Sequence, residues 1–269
     1  MVHNLIVSSQ VIFGHVGLSA MVPALHALGQ PVAAFPTVLL SHHPGHNTST
    51  GHQISCNDLD QALEALSRNG ELSNISTVIT GYLPTPEHVA FAVRAIETTR
   101  ANAKTIRVLC DPILGDDPTG LYIDPDAARA IRDTLLPRAD IITPNRFELA
   151  WLSGRDITDI QSTEVAAQQL GLKTIIATSI PNTTTTLGTL LVSDSMSFCV
   201  NTKKRTDVPH GTGDLLTGLF AGHLNCGRSP HDSLKRAVAG VDIAISESLG
   251  NSDLNLIPHL DTIIAATMD

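Results

Sequence analysis

The chain has 269 residues, 42% hydrophobic and only 16% charged, which supplies a sizeable core and argues against disorder. Its 17 basic and 26 acidic side chains leave a formal charge of −9 with no basic stripe, which disfavours broad nucleic-acid or anionic-membrane binding. Four scattered cysteines without CxxC or zinc spacing indicate reduced thiols; the opening MVHNLIVSSQVIFG puts no Lys or Arg ahead of its apolar stretch. With no apolar run long enough to span a bilayer, the reading is a soluble, cytoplasmic protein.

In chain order, NLIVSS (residues 4–9) reads as a strand and GLSAMVPALHALG as a helix closed by Gly29. PVAAFP reads as a second strand, followed by a loop over residues 41–52 rich in His, Pro and Gly. NDLDQALEALSRNG starts with capping residues and carries apolar positions at helical spacing. STVITGYL and IRVLCDP are strand-like, and PEHVAFAVRAIETTRAN and DAARAIRDTLL helical. ADIITPN and KTIIATS are further strands, with VAAQQLG ending a helix between them; TLGTLLVSD and MSFCVN form a hairpin. Two long helices are expected over residues 213–225 and 230–249, with a short one before the end. Strands separated by helices give an α/β fold, three layers with a mostly parallel sheet, and no linker divides residues 1–269. In such sheets ligands bind beyond the carboxyl ends of the strands.

No GxxxxGK[ST] loop occurs, and no GxGxxG follows the first strand. HGTGDLLTGLF (residues 210–220) sets two glycines and Asp214 ahead of an apolar helix. One reading is a helix start with Asp214 as cap. The other is an anion cradle of converging amides at a helix N-terminus, with Asp214 as a base for an attacking alcohol. CDPILGDDPTG offers Asp111, Asp116 and Asp117 after a strand, either an acidic turn or carboxylates acting through water on a metal–nucleotide complex. TPNRFEL places Asn145 and Glu148 at capping spacing. Twelve histidines include three in SHHPGH, without partners spaced for zinc. TKKRTD, the densest basic run, is either a solvated loop or a phosphate neutraliser.

Together these motifs resemble the pyridoxal kinases of the ribokinase-like superfamily, over nearly the whole chain. SSQVIFGHVGLSA is similar to that family's opening, FPTVLLSHHPGH to its substrate loop, CDPILGD to CDPVMGD, TPNRFELAWLSG to TPNQFELExLTG, and GTGDLLTGLFAGHL to GTGDLFSALLLAHL. The resemblance implies a three-layer ribokinase-like fold and phosphorylation of the 5′-hydroxyl of pyridoxal, pyridoxine or pyridoxamine by ATP. It assigns Asp214 as general base and Gly211, Thr212 and Gly213 as the anion hole. Ser9, Val16, Ser41, His43, Tyr82 and Asp214 fall at the acceptor. Asp111, Asp116, Thr143, Asn145, Glu148, Thr178, Ser179 and Thr212 fall at ATP, with Asp111, Asp116 and Glu148 near Mg2+, reached through water. Mg2+ with ATP, a monovalent cation such as K+, and a homodimer complete what the resemblance implies. The chain departs from the family at Leu18, Leu40, Pro44 and Ser49, all in the acceptor half. A kinase of the same fold for hydroxymethylpyrimidine or another small alcohol is the first alternative. A vitamer-binding protein without turnover is the second.

Overall fold

The computed structural model describes residues 3–266. Its elements follow in order as β1 (His3–Val11), α1 (Leu18–Ala27), β2 (Val32–Leu40), β3 (Gly51–Gln53), α2 (Cys56–Arg68), β4 (Ile75–Thr80) and α3 (Pro86–Asn102). Next come β5 (Arg107–Cys110), a small hairpin of β6 (Gly115–Asp116) and β7 (Gly120–Leu121), α4 (Pro125–Ala130), β8 (Ile141–Ile142), α5 (Arg146–Ser153) and α6 (Ile160–Leu170). The antiparallel run β9 (Thr174–Pro181), β10 (Thr186–Ser193) and β11 (Met196–Lys203) is followed by α7 (Thr212–Asn225), α8 (Pro230–Ser246) and α9 (Leu260–Ala266).

Nine strands form one sheet in the order β11-β10-β9-β8-β5-β4-β1-β2-β3, with six of them, from β9 to β2, running parallel. Helices cover both faces because the strands alternate their side chains between two cores. Leu5, Val7, Val78 and Val108 pack with Leu59, Phe91 and Leu149 of α2, α3 and α5. Ile6, Ile79, Leu109 and Ile176 pack with Met21, Leu219, Leu234 and Ile263 of α1, α7, α8 and α9. Residue by residue, strand period 2 assigns each apolar side chain to its layer.

The expected alternation of strands and helices is present, and the differences are local. The loop after β2 ends in a short strand, β3, paired antiparallel to it. The acidic stretch after β5 folds into the β6–β7 hairpin, which sequence periodicity cannot show in two-residue strands. α8 stops at Ser246 instead of 249, where Ser248 turns the chain: its backbone carbonyl accepts from Asn251 N–H and Gly250 takes φ 83°.

Candidate active site

The carboxyl ends of the parallel strands carry the sequence motifs in spatial order. Thr178 and Ser179 lie in β9, Thr143 and Asn145 follow β8, Asp111 follows β5, Tyr82 follows β4, Ser9 lies near the end of β1 and Ser41 follows β2. The sheet order thus turns six separated motifs into one row. The N-terminus of α7 reaches it at two points: Thr217 bonds to Asp111, and the Gly17 backbone amide reaches Asp214.

Gly211, Thr212, Gly213 and Asp214 form the first turn of α7. Gly211 is left-handed at φ 95°, and a Cβ there would strike the His15 carbonyl, so glycine is required. Gly213 has no such backbone demand, since its φ is not positive. Open space lies where its Cβ would be, so the absent side chain leaves the helix N-terminus uncovered. Asp214 does not cap this helix: the N-cap is Gly211 and no side-chain cap bond forms. Its Oδ1 is out of contact with solvent and has no hydrogen-bond partner. Burial pushes the Asp214 carboxyl up to about 6, opposed by the Gly17 amide.

Asp111 and Glu148 form the second part. Thr217, one turn along α7 from Asp214, donates its hydroxyl to Asp111 Oδ2 at 2.9 Å. Thr143 Oγ1 lies 3.1 Å from Thr217 Oγ1, and both hydroxyls favour the charged form of Asp111. Burial, followed by the Glu148 and Asp214 charges, holds Asp111 well above the usual carboxylate range. Glu148 accepts from Leu114 N–H at 2.8 Å with Oε1 and from Asn145 N–H at 2.8 Å with Oε2. Asn145 Oδ1 accepts from Glu148 N–H at 2.9 Å, completing a capping box on α5. Burial still pushes Glu148 up to about 7. These amide bonds fix the orientation of the Glu148 carboxylate and leave each oxygen a further lone pair. Among the described residues no group of three or more His, Cys, Asp or Glu is arranged to hold a metal ion.

Two non-glycine residues of this row have left-handed backbone, Ile113 at φ 44° and Ser179 at φ 60°. Such conformations are costly for a β-branched residue, and they persist where surrounding structure imposes them, often at functional sites. On the acceptor side, Tyr82 N–H donates to the buried Ser8 Oγ at 3.1 Å, and Thr37 Oγ1 donates to Tyr82 O at 2.8 Å. Ser41 Oγ accepts from Thr50 N–H at 3.0 Å, and His43 Nδ1 from Gly45 N–H at 3.0 Å. Val16 is buried in the turn between β1 and α1, beside Gly17.

The sequence matches that of the phosphomethylpyrimidine kinase family over residues 14–256. The chain belongs to this family. It is 34% identical over 238 residues to the pyridoxine/pyridoxal/pyridoxamine kinase of Bordetella avium, covering 86% of this chain and 79% of that one. It is 28% identical to pyridoxal kinase PdxY of Rubrobacter xylanophilus, over 96% of this chain and 92% of that one. In structure it is similar to the pyridoxal kinase of Entamoeba histolytica, with TM-score 0.92, 24% identity and coverage of 98% and 95%. It is also similar to the pyridoxal kinase of Leishmania donovani in complex with ADP and pyridoxine, with TM-score 0.90, 27% identity and coverage of 97% and 95%. The mostly parallel sheet with helices on both faces is thus the ribokinase-like fold of these kinases.

Two polar residues of this kinase site escape the sequence reading. Thr217 was legible only as a helix residue, although its spacing of three from Asp214 puts both on one face of α7. Tyr122, just past β7, has a ring that is 45% exposed. Desolvation, and then the Glu148, Asp111, Asp116 and Asp214 charges, hold its phenol above its ordinary range.

Proposed function

We propose that the protein is an ATP:pyridoxal 5′-phosphotransferase, transferring the γ-phosphoryl group of ATP to the 5′-hydroxyl of pyridoxal, pyridoxine or pyridoxamine. The observation that carries this reading is the unpartnered, buried Asp214 Oδ1 at the open first turn of α7. Asp214 takes the proton of the 5′-hydroxyl as that oxygen attacks phosphorus. A carboxyl near 6 is ionised at neutral pH and still basic enough to share a proton in the transition state. The amides of Gly211, Thr212 and Gly213, with the positive end of α7, face the oxygens of the moving group. In a loose transition state this positioning and charge complementarity are the main contribution of the protein.

Thr143, Asn145, Thr178, Ser179 and Thr212 are read as nucleotide contacts, and Ser9, Val16, Ser41, His43 and Tyr82 as acceptor contacts. Asp111, Asp116 and Glu148 supply negative charge for a cation held through water. The raised Asp111 and Glu148 carboxyls fit that purpose, because crowded buried acids are ionised most easily beside a cation. Mg2+ bound with ATP would neutralise charge on the transferred phosphoryl group, and a monovalent cation such as K+ completes the proposed requirements. We read residues 1–269 as one kinase domain acting as a cytoplasmic homodimer. No helix among the described residues is long and apolar enough to cross a membrane.

The matched family is described as phosphomethylpyrimidine kinase, which keeps a pyrimidine alcohol such as hydroxymethylpyrimidine as a second reading of the acceptor. Against it stand the curated relatives, which are named for pyridoxal and its congeners. ATP- and Mg2+-dependent ADP release, measured with the three vitamers and with hydroxymethylpyrimidine for the native chain and Asp214→Asn, separates the readings. Turnover with a vitamer that disappears in the folded variant is expected. Turnover with the pyrimidine alone would move the acceptor assignment, and vitamer binding without any turnover would overturn the kinase reading.

A further inference from the structure

Four imidazoles gather where the acceptor loop meets the chain just ahead of α7. His43 and His210 stack with ring centroids 3.8 Å apart and planes inclined by 26°. His42 and His46 lie with centroids 5.2 Å apart on the same loop. His46 Nε2 reaches Asp253, 3.2 Å from Oδ2 and 3.3 Å from Oδ1. Asp253 is itself joined to His210 through a parallel backbone bridge. The loop of residues 41–52 is therefore tied at two points to one short ladder formed by the segments carrying His210 and Asp253. A third strand of chain joins there: His15 Nδ1 bonds to Leu254 O at 2.8 Å, bringing in the turn that reaches Asp214 through Gly17.

We propose that His210 is a positioning residue for the acceptor: its ring, stacked on His43, fastens the loop over the site and, with the Gly45 amide, holds His43 as the neutral Nε2–H tautomer. This rests on the reading of His43 as an acceptor contact. The tautomer follows from the Gly45 bond. A ring nitrogen that accepts from a backbone N–H carries no proton, so in the neutral ring the proton is on Nε2, which becomes a donor. Gly45 is the residue that permits this packing, because a Cβ there would come within 2.6 Å of His210 Nε2 and 3.0 Å of His43 Nδ1.

The charges around His43 act in the same sense. Burial pushes its imidazole down to about 4, and His210 and His46 push in the same direction. Asp253 from the segment after α8 and Asp116 from β6 oppose them without reversing the outcome. A second proton on His43 would break the Gly45 bond and set a cation against the face of His210. The loop is thus fastened only while His43 is neutral, and a neutral Nε2–H suits a ligand that presents an oxygen acceptor, such as the ring hydroxyl or aldehyde of the proposed acceptor.

The test compares His210→Ala with His210→Phe, which keeps a ring face but carries no titrating nitrogen. Nitrogen-resolved imidazole NMR of the ligand-free protein reports the His43 tautomer and its titration, and steady-state kinetics with pyridoxal report function. We expect the Nε2–H form in the native protein. Alanine should mix the tautomers and raise the KM for pyridoxal about fivefold, the scale of one lost ring stack, while kcat falls by less than KM rises. Phenylalanine should restore KM and let His43 titrate at higher pH than in the native chain. A proton on His43 Nδ1 in the native protein overturns the proposal, as does a pyridoxal KM that neither variant changes. Because the NMR measurement needs no ligand, the two readings fail separately. An Nε2–H form that is lost on His210→Ala in a chain inactive on all vitamers sinks the acceptor assignment and leaves the fastening intact. Normal turnover with an Nδ1–H ring does the reverse.

Discussion

The two ends of the site are built differently. At the proposed nucleotide end, Asp111, Thr217 and Thr143 form one hydrogen-bonded set and Glu148 and Asn145 another, with Asp111, Glu148 and Thr143 each 6% exposed or less. At the proposed acceptor end, the loop of residues 41–52 is largely exposed and is held by single side-chain bonds, a ring stack and the His46–Asp253 contact. Buried polar groups have to be satisfied together, so a change in one disturbs its neighbours. An exposed loop can change one residue at a time. Of the four departures from the family pattern, Pro44 and Ser49 lie in this exposed loop, as that difference would lead one to expect, whereas Leu40 ends β2 and Leu18 is buried at the start of α1.

The contrast is broken most severely at the residue where the two ends meet. Asp214→Asn is expected to lower kcat by about a thousandfold, the scale of general-base catalysis. It should also raise the melting temperature at pH 7. The folded carboxyl at about 6 lies above its ordinary value of 3.8, so its stabilising contribution is complete below 3.8 and is lost as pH rises through 6. Asparagine carries no charge to desolvate, and a lower melting temperature would refute the sign of this argument.

Within the buried network, Glu148→Ala leaves the amides of Leu114 and Asn145 without acceptors and should cost about 3 kcal/mol in urea unfolding. Thr217→Val removes the donor to Asp111 at nearly constant volume, for a loss of about 1.5 kcal/mol and a higher KM for ATP than for the vitamer. A variant as stable as the native chain would contradict the network. In pH–rate profiles, kcat of the native protein is expected to fall as pH drops through about 6, when Asp214 takes up its proton. A flat profile from pH 8 to 5 would exclude Asp214 as the titrating base. The smallest effect belongs to the acceptor loop. Ser41→Ala, which frees the Thr50 amide on an exposed surface, should change stability by less than about 0.5 kcal/mol and show mainly as a two- to threefold higher vitamer KM. Equal losses of stability at Ser41 and Thr217 would erase the distinction between the two ends.

Much of this was legible in one dimension. Alternating periodicities and glycine stops specify the layers, and the apolar strand runs specify burial on both faces, since these signals are local. The motifs GTGD, DPILGD and TPNRFE could be located because each is contiguous in sequence and follows a strand. The β6–β7 hairpin was hidden because two-residue strands have no periodicity, and Tyr122 because the charges of the distant Asp111, Glu148 and Asp214 reach its phenol only through the fold.

Sequence by itself therefore determined the fold class and which segments bring chemistry to the sheet ends. Only the tertiary structure decided where each of these groups sits. Asp214 could have been a cap until α7 was placed with Gly211 in that position and Asp214 Oδ1 buried without a partner. Thr217 meets Asp111 across 106 positions, and His43 meets His210 across a comparable distance along the chain. Desolvation, orphaned oxygens and ring stacks depend on which distant segments share a volume, and that sharing arises only once the sheet order is set.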